Sequence, residues 1–467
     1  MTPSTFAPHF IFGAATASFQ IEGATTTDGR VPSIWDTFCA TPGKVAGGDT
    51  GEVACDHYHR MPQDVALMKE LGLQSYRFST AWPRVVPAPG EVNQAGLDFY
   101  SRLVDELLAA GITPWLTLYH WDLPQYEQDL GGWTNRDTAH RFADYAEVMY
   151  RALGDRVDIW TTLNEPWCSA FLGHAKGEHA PGHQDGAEAL AAAHHLLLGH
   201  GLAVQRLRGL GLAHPQQVGI TINPGVVHPA DPDNAADRDA ARRHDALRNR
   251  IWLDPLFKGE YPADLIADMG ELWPAHLIWD GDLEVIAQPI DVLGINFYNG
   301  ETVAGVPGAA VDSPGAPHPR TGDTRHVSRD VPLTGMGWEI HAPDFTEVLV
   351  RLSREWAAPN SAHLVVTENG AAFDDVADAD GFVADADRRD YLHQHIRAVR
   401  DAIDAGADVR GYLAWSLLDN FEWAWGYEKR FGIVRVDYDT QRRTPKASAR
   451  WYSDVIRSRE LIEPTKG

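Results

Sequence analysis

Short apolar runs that stop abruptly at a polar residue recur along this chain. Between them, apolar residues fall three or four positions apart. The runs are Phe10–Thr16, Gln74–Ser79, Thr113–His120, Val157–Asn164, Gln217–Asn223, Asp291–Tyr298, His363–Glu368 and Gly411–Leu417. Four to eight apolar residues bounded by turn residues read as buried strands. The intervening stretches read as amphipathic helices. Val65, Met68 and Leu71 share a face, as do Leu97, Tyr100, Val104 and Leu107, then Phe142, Tyr145, Met149 and Leu153. Further helices are predicted over Ala187–Leu210, Phe345–Trp356, the Tyr391–Ile403 stripe and Lys446–Arg457. Strands alternating with helices predict parallel pairing, and eight of them is the number that closes a (β/α)8 (TIM) barrel.

Length alone would suggest two or three domains, but barrels with long loops run well beyond 250 residues as one unit. The expectation is a single (β/α)8 domain over residues 1–467, with long βα loops forming the active-site mouth. The extra length lies in Thr25–Gly51, Trp121–Gly132, Trp167–Gly186, Gly300–Ile340 and the stretch between the fifth and sixth strands. The Gly-, Pro- and Asp-rich run Val306–Asp330 reads as a mobile surface loop.

In such a barrel, side chains at the C-terminal strand ends face the active-site mouth. Two strands end in the same way, Leu163-Asn164-Glu165 and Thr367-Glu368-Asn369. The other ends and the loops beyond them supply Gln20, Arg77, His120, Trp121, Asn296, Tyr298, Trp415, Glu422 and Trp423. Each alone has a bland reading: a satisfied core histidine, a structural ion pair, a packed tyrosine. Gathered on one face of one barrel, they read as a site.

Composition narrows the partners. The formal charge of −25 argues against nucleic acid or an anionic membrane as a partner, since both require basic patches. No run of apolar residues is long enough to span a bilayer. The first ten residues lack the basic and apolar regions of a secretory signal, so a cytoplasmic enzyme is expected. Cys39, Cys55 and Cys168 form no CxxC pair, which suggests neither a disulfide framework nor a zinc site. Cys39 and Cys55 would pair only if the fold brought them together, and free thiols are the expectation. Sixteen tryptophans is a high count; composition alone assigns them to the core, while those beside Glu, Asn and His could floor a sugar.

Two glutamates at strand ends suit acetal cleavage, which needs a proton for the leaving oxygen and electron density at the oxocarbenium carbon. The two pKa values must differ. Arg77 is expected to hold Glu368 ionised, and burial or the Glu368 charge to keep Glu165 protonated.

Ordered blocks carry a resemblance along almost the whole chain: Phe12–Gly23, Tyr76–Ser79, Tyr119–Pro124, Thr162–Pro166, Thr367–Gly370, Asn420–Trp423 and Phe431–Tyr438. In this order they resemble glycoside hydrolase family 1 β-glucosidases. The resemblance implies Glu165 as acid/base and Glu368 as nucleophile of a retaining mechanism. It implies Gln20, His120, Glu422 and Trp423 on the sugar hydroxyls at C3, C4 and C6, and Asn164 on the C2 hydroxyl. Trp415 would floor the sugar, Trp121 would line the same site, and Trp338 would stack on the aglycone. Arg77, Tyr298 and Asn296 would orient Glu368. A cis Trp415–Ser416 bond is implied, and no metal or organic cofactor. The implied substrates are β-glucosides and short cello-oligosaccharides. Between Trp167 and Pro181 the chain lines the aglycone side, so leaving-group preference is not written in the motifs.

A 6-phospho-β-glucosidase is disfavoured because a Glu422 carboxylate would repel a phosphate dianion. A non-catalytic sugar-binding relative is disfavoured because both glutamates are present. Transglycosylation, and preference for β-galactoside or β-fucoside, stay open.

Overall fold

The computed structural model describes residues 5–211, 216–312 and 314–464. The eight predicted strands are all present: β1 (Ile11–Ala15), β2 (Ser75–Ser79), β3 (Thr113–Tyr119), β4 (Ile159–Asn164), β5 (Gln217–Ile222), β6 (Val292–Asn296), β7 (His363–Asn369) and β8 (Val409–Trp415). They pair in sequence order and in parallel, and β1 pairs with β8 to close the barrel. Two ladder irregularities lie at C-terminal ends, between Thr161 and Asn164 on β4 and between Val366 and Glu368 on β7. These bulges re-aim the side chains that the site uses.

A layer of Trp115, Ile159, Val292, Val365 and Leu413 forms one apolar cluster within the barrel. Most of the other buried apolar residues of the strands and helices share one larger core, while Ala15, Ala17, Ala372, Trp415 and Phe431 form a separate cluster at the strand ends. The helix Gln94–Ala110 buries Leu97, Tyr100, Leu103, Val104 and Leu107, and ends at Gly111 with φ 77°. That left-handed stop favours glycine. Asn135 caps Arg136–Leu153 through the Asp137 amide, and Asp185 caps Gly186–Gly209 through the amides of Ala187 and Glu188. Side-chain caps satisfy amides that the first turn leaves free.

The insertions are more structured than the sequence suggests. Between β5 and β6 lie the helices Ala235–Asp245 and Ile251–Lys258. A small sheet joins Val227–Pro229, Glu301–Gly305 and Thr324–His326. The stretch predicted as a mobile loop therefore contains a paired strand. Arg243 holds it from the first of these helices, bonding both carboxylate oxygens of Asp323 at 2.7 and 3.0 Å. Local composition reads as loop, and the order comes from a contact 80 residues away. The helix predicted as Phe345–Trp356 runs Ala342–Leu352 and continues as a wider turn over Ser353–Ala357.

Candidate active site

The mouth of the barrel holds a cavity of about 270 Å³, lined by His120, Trp121, Glu165, Tyr298, Trp338, Glu368, Trp415, Glu422 and Trp423. Glu165 and Glu368 are both almost fully buried. Their partners differ. Glu368 accepts from Arg77 Nη1 at 2.6 Å through one oxygen and from the Tyr298 hydroxyl at 2.8 Å through the other. Glu165 takes neutral donors, Asn296 Nδ2 at 2.6 Å and the Cys168 thiol at 3.0 Å.

A chain of hydrogen bonds fixes the neighbouring groups. The Asn164 oxygen accepts from Arg77 Nη2 at 2.6 Å and Asn296 Nδ2 at 3.0 Å. Its amide nitrogen must then be the donor to His120 Nε2, 3.0 Å away. That leaves the His120 proton on Nδ1, which has no protein partner. Burial and the Arg77 charge push the His120 pKa well below its usual value, so the ring is neutral and Nδ1–H is a free donor. Gln20 donates to Asn420 and to the Phe421 carbonyl, both at 2.9 Å, while its side-chain oxygen has no partner. Glu422 Oε2 likewise has none. An uncompensated buried donor or acceptor costs roughly 1–3 kcal/mol, so a ligand's hydroxyls would be favoured here.

Aromatic rings form the floor and walls. His120 stacks against Trp415 and Trp423 with centroids 5.9 and 6.0 Å away, and Trp121 lies 4.5 Å from Trp423. Tyr298 and Trp338 are 5.2 Å apart. Glu165, Trp121 and Trp423 all have positive φ (43°, 76° and 50°), each a conformation costing on the order of 1–3 kcal/mol outside glycine. The Trp415–Ser416 peptide is cis. Gly370 sits where a Cβ would come within 1.7 Å of the Trp415 carbonyl, so the Glu-Asn-Gly sequence lets β7 approach the end of β8.

Burial raises the pKa of both central carboxyls. Arg77 pulls Glu368 down as the sequence predicts, yet burial outweighs that pull. Between the two, the first proton leaves Glu368, because it alone is paired with a cation at hydrogen-bonding distance. The resulting charge helps to keep Glu165 protonated. Burial and the same two carboxyls push Glu422 up to about 8. Near neutrality Glu422 therefore carries little charge, and repulsion by a Glu422 carboxylate is a weaker argument against a phosphorylated substrate than the sequence suggests.

Asn296 differs from its expected place: its amide faces Glu165 and Asn164 rather than Glu368. The Thr367 hydroxyl donates to its oxygen at 2.8 Å and thereby turns the NH₂ group toward β4. Sequence reasoning missed Asn223 and Arg248 and named Cys168 and His179 only within the 167–181 stretch on the aglycone side; all four line the same cavity. Cys168 and His179 flank the Asn164-Glu165-Pro166 motif downstream, but nothing in their residue type marks them. Arg248 comes from the β5–β6 insertion and stacks on Trp167 at 4.5 Å.

Two buried carboxyls with unlike partners, set over an aromatic floor at the mouth of a parallel barrel, define a glycosidase. The model of glycosyl hydrolase family 1 matches residues 2–461. The chain is 52% identical to the thermostable beta-glucosidase B of Thermobispora bispora, over 98% of this chain and 92% of that one. It is 48% identical to a bifunctional beta-D-glucosidase/beta-D-fucosidase of Bifidobacterium breve, over 97% and 98%. The crystal structure of a psychrophilic beta-glucosidase from Micrococcus antarcticus superposes with a TM-score of 0.94 at 50% identity, covering 98% and 100% of the two chains. The beta-glucosidase of Thermotoga maritima, solved in complex with deoxynojirimycin, superposes with 0.92 at 44% identity over 98% and 100%. The chain belongs to glycosyl hydrolase family 1 and is an enzyme that hydrolyses O-glycosyl bonds.

Proposed function

We propose that the chain is a retaining, exo-acting β-glucosidase that removes terminal β-D-glucosyl residues from aryl and alkyl β-glucosides, cellobiose and short cello-oligosaccharides. The observation that carries this reading is the unlike pairing of the carboxyls. Glu368, clamped by Arg77 and Tyr298, has a defined orientation and its negative charge, as a nucleophile needs. Glu165, buried against neutral donors, keeps a proton to give to the leaving oxygen and takes one from water in the second half-reaction.

The free donors and acceptors on His120, Gln20 and Glu422 suit the hydroxyls of a pyranose at C3, C4 and C6, with Trp423 beside them. Asn164 is oriented for the C2 hydroxyl, whose contact strengthens in the transition state. Trp415 would carry the sugar face, Trp121 the adjoining wall and Trp338 the aglycone. The B. breve relative supports a β-fucosidase side activity. No helix of the described residues is long and apolar enough to cross a membrane. Three buried free cysteines support a reducing, cytoplasmic setting. The barrel and its loops would act as one catalytic domain.

The test is hydrolysis of p-nitrophenyl β-D-glucoside followed by proton NMR of the first-formed anomer. β-Glucose first is the expected result. α-Glucose first would mean inversion and remove the nucleophile role from Glu368.

A further inference from the structure

We propose that His244, Glu301 and His326 form a binding site for a divalent transition ion of the zinc type, outside the catalytic cavity and independent of the glycosidase reading. The three residues are far apart in sequence. Glu301 and His326 stand on the two antiparallel strands Glu301–Gly305 and Thr324–His326, and His244 lies in the last turn of Ala235–Asp245. One ligand atom from each falls within 4.8 Å of the others.

Hydrogen bonding at His244 assigns its bare nitrogen. The Thr324 hydroxyl gives its only proton to the Thr321 carbonyl at 2.6 Å, so it can only accept from His244 Nε2, 2.8 Å away. His244 Nε2 therefore carries the ring proton, and Nδ1 presents a lone pair. That lone pair faces Glu301 Oε2 at 3.4 Å. Neither atom has a hydrogen-bond partner, although His244 is only 3% exposed. Two acceptors facing each other in a buried site call for a cation, or a second ring proton, between them.

The geometry and chemistry suit a metal ion. Zinc bonds of ~2.0–2.1 Å set tetrahedral ligand atoms about 3.4 Å apart, the separation already found between His244 and Glu301. His326 Nδ1 lies 3.9 Å from Glu301 Oε2 on a side chain that is 66% exposed and free to swing inward. Thr324 holds the far side of the His244 ring, as outer partners of metal-bound histidines do. A fourth position would stay open to water.

Bound there, the ion would tie the small sheet to the helix beside it. The effect would reach the cavity wall through His318, whose ring centre is 5.1 Å from that of His244 and whose Nε2 accepts from Trp167 Nε1 at 3.0 Å. The test is calorimetric titration of the full, tag-free, chelator-stripped protein with zinc sulfate, with thermal unfolding followed in parallel. One ion per chain is expected, with a higher Tm. His326→Ala, at an exposed position, should fold normally and weaken binding at least about ten-fold, and Glu301→Gln should do the same. Absence of binding at millimolar zinc would overturn the proposal. So would equal binding by wild type and His326→Ala, which would mean an adventitious ion elsewhere.

Discussion

Cys168 aims its thiol at Glu165: the sulfur lies 3.0 Å from Oε2, and the Cys168 amide bonds the Glu165 carbonyl in the same turn. Asn223 Nδ2 stands 3.6 Å behind the sulfur and donates to it, which leaves the thiol proton to point at the carboxyl. A donor to the charged form lowers a carboxyl pKa. Cys168→Ala should therefore raise the Glu165 pKa and move the basic limb of the kcat/KM–pH profile upward. The lost bond is worth about 1 kcal/mol, or roughly five-fold in rate. Cys168→Ser keeps a donor and should stay close to wild type. An unmoved basic limb in Cys168→Ala would remove the positioning role.

The two central carboxyls should fail in different ways. Glu368→Ala should abolish turnover, and added azide should restore cleavage of an activated substrate to give the α-glycosyl azide. Near-normal turnover would exclude it as nucleophile. Glu165→Ala should cost about 10²–10⁴-fold on glycosides with poor leaving groups. Activated aryl glycosides should suffer less in the glycosylation step. Equal losses on both would argue against an acid role.

Arg77 is fully buried and touches both Glu368 and Asn164. Arg77→Met would strand a buried carboxylate, a change costing about 3–5 kcal/mol where such pairs have been broken. Because Arg77 lowers the Glu368 pKa, its loss should push the acidic limb of kcat/KM to higher pH. The same limb in Arg77→Lys should move less. A stability loss with the acidic limb in place would mean that Arg77 serves only the fold.

Glu422 gives the folded protein a pH signature. Its pKa of about 8 lies above the unfolded value of 4.5, so between these pH values the native state holds a proton that the unfolded chain has lost. Its contribution is thus present below about pH 4.5, falls as pH rises toward 8, and is constant beyond. Glu422→Gln should flatten that decline. Urea unfolding of both proteins at pH 5 and pH 8 measures it, and identical pH slopes would count against the raised pKa.

The strands and their polar ends were legible because period and position both speak there: an apolar run ending in Asn164-Glu165 or Glu368-Asn369 has few other readings. Tyr298 and Arg77 lie against Glu368, as their strand-end positions suggest. What the sequence hid depends on contacts made at a distance. The turn of Asn296 follows from one Thr367 hydroxyl, the order of the 324–326 strand draws on Arg243, and Arg248 reaches the cavity from an insertion with no motif. The balance between burial and Arg77 at Glu368 was illegible for a further reason. Neighbours can be guessed from spacing, but the depth of burial comes only with the closed barrel.

The seam between β1 and β8 also bears on how the enzyme is made. Gln20 and Asn420 share a hydrogen bond across 400 residues, and Trp415, Glu422 and Trp423 all follow the start of the last strand. A nascent chain that has emerged only as far as β7 already contains Glu165, Glu368 and Arg77. It still lacks the platform for the sugar, and β1 and β7 are left as open edges able to pair with other chains. Hydrolytic competence therefore arrives only with β8 and the loop that follows it, at the same step that removes the last exposed edges of the barrel.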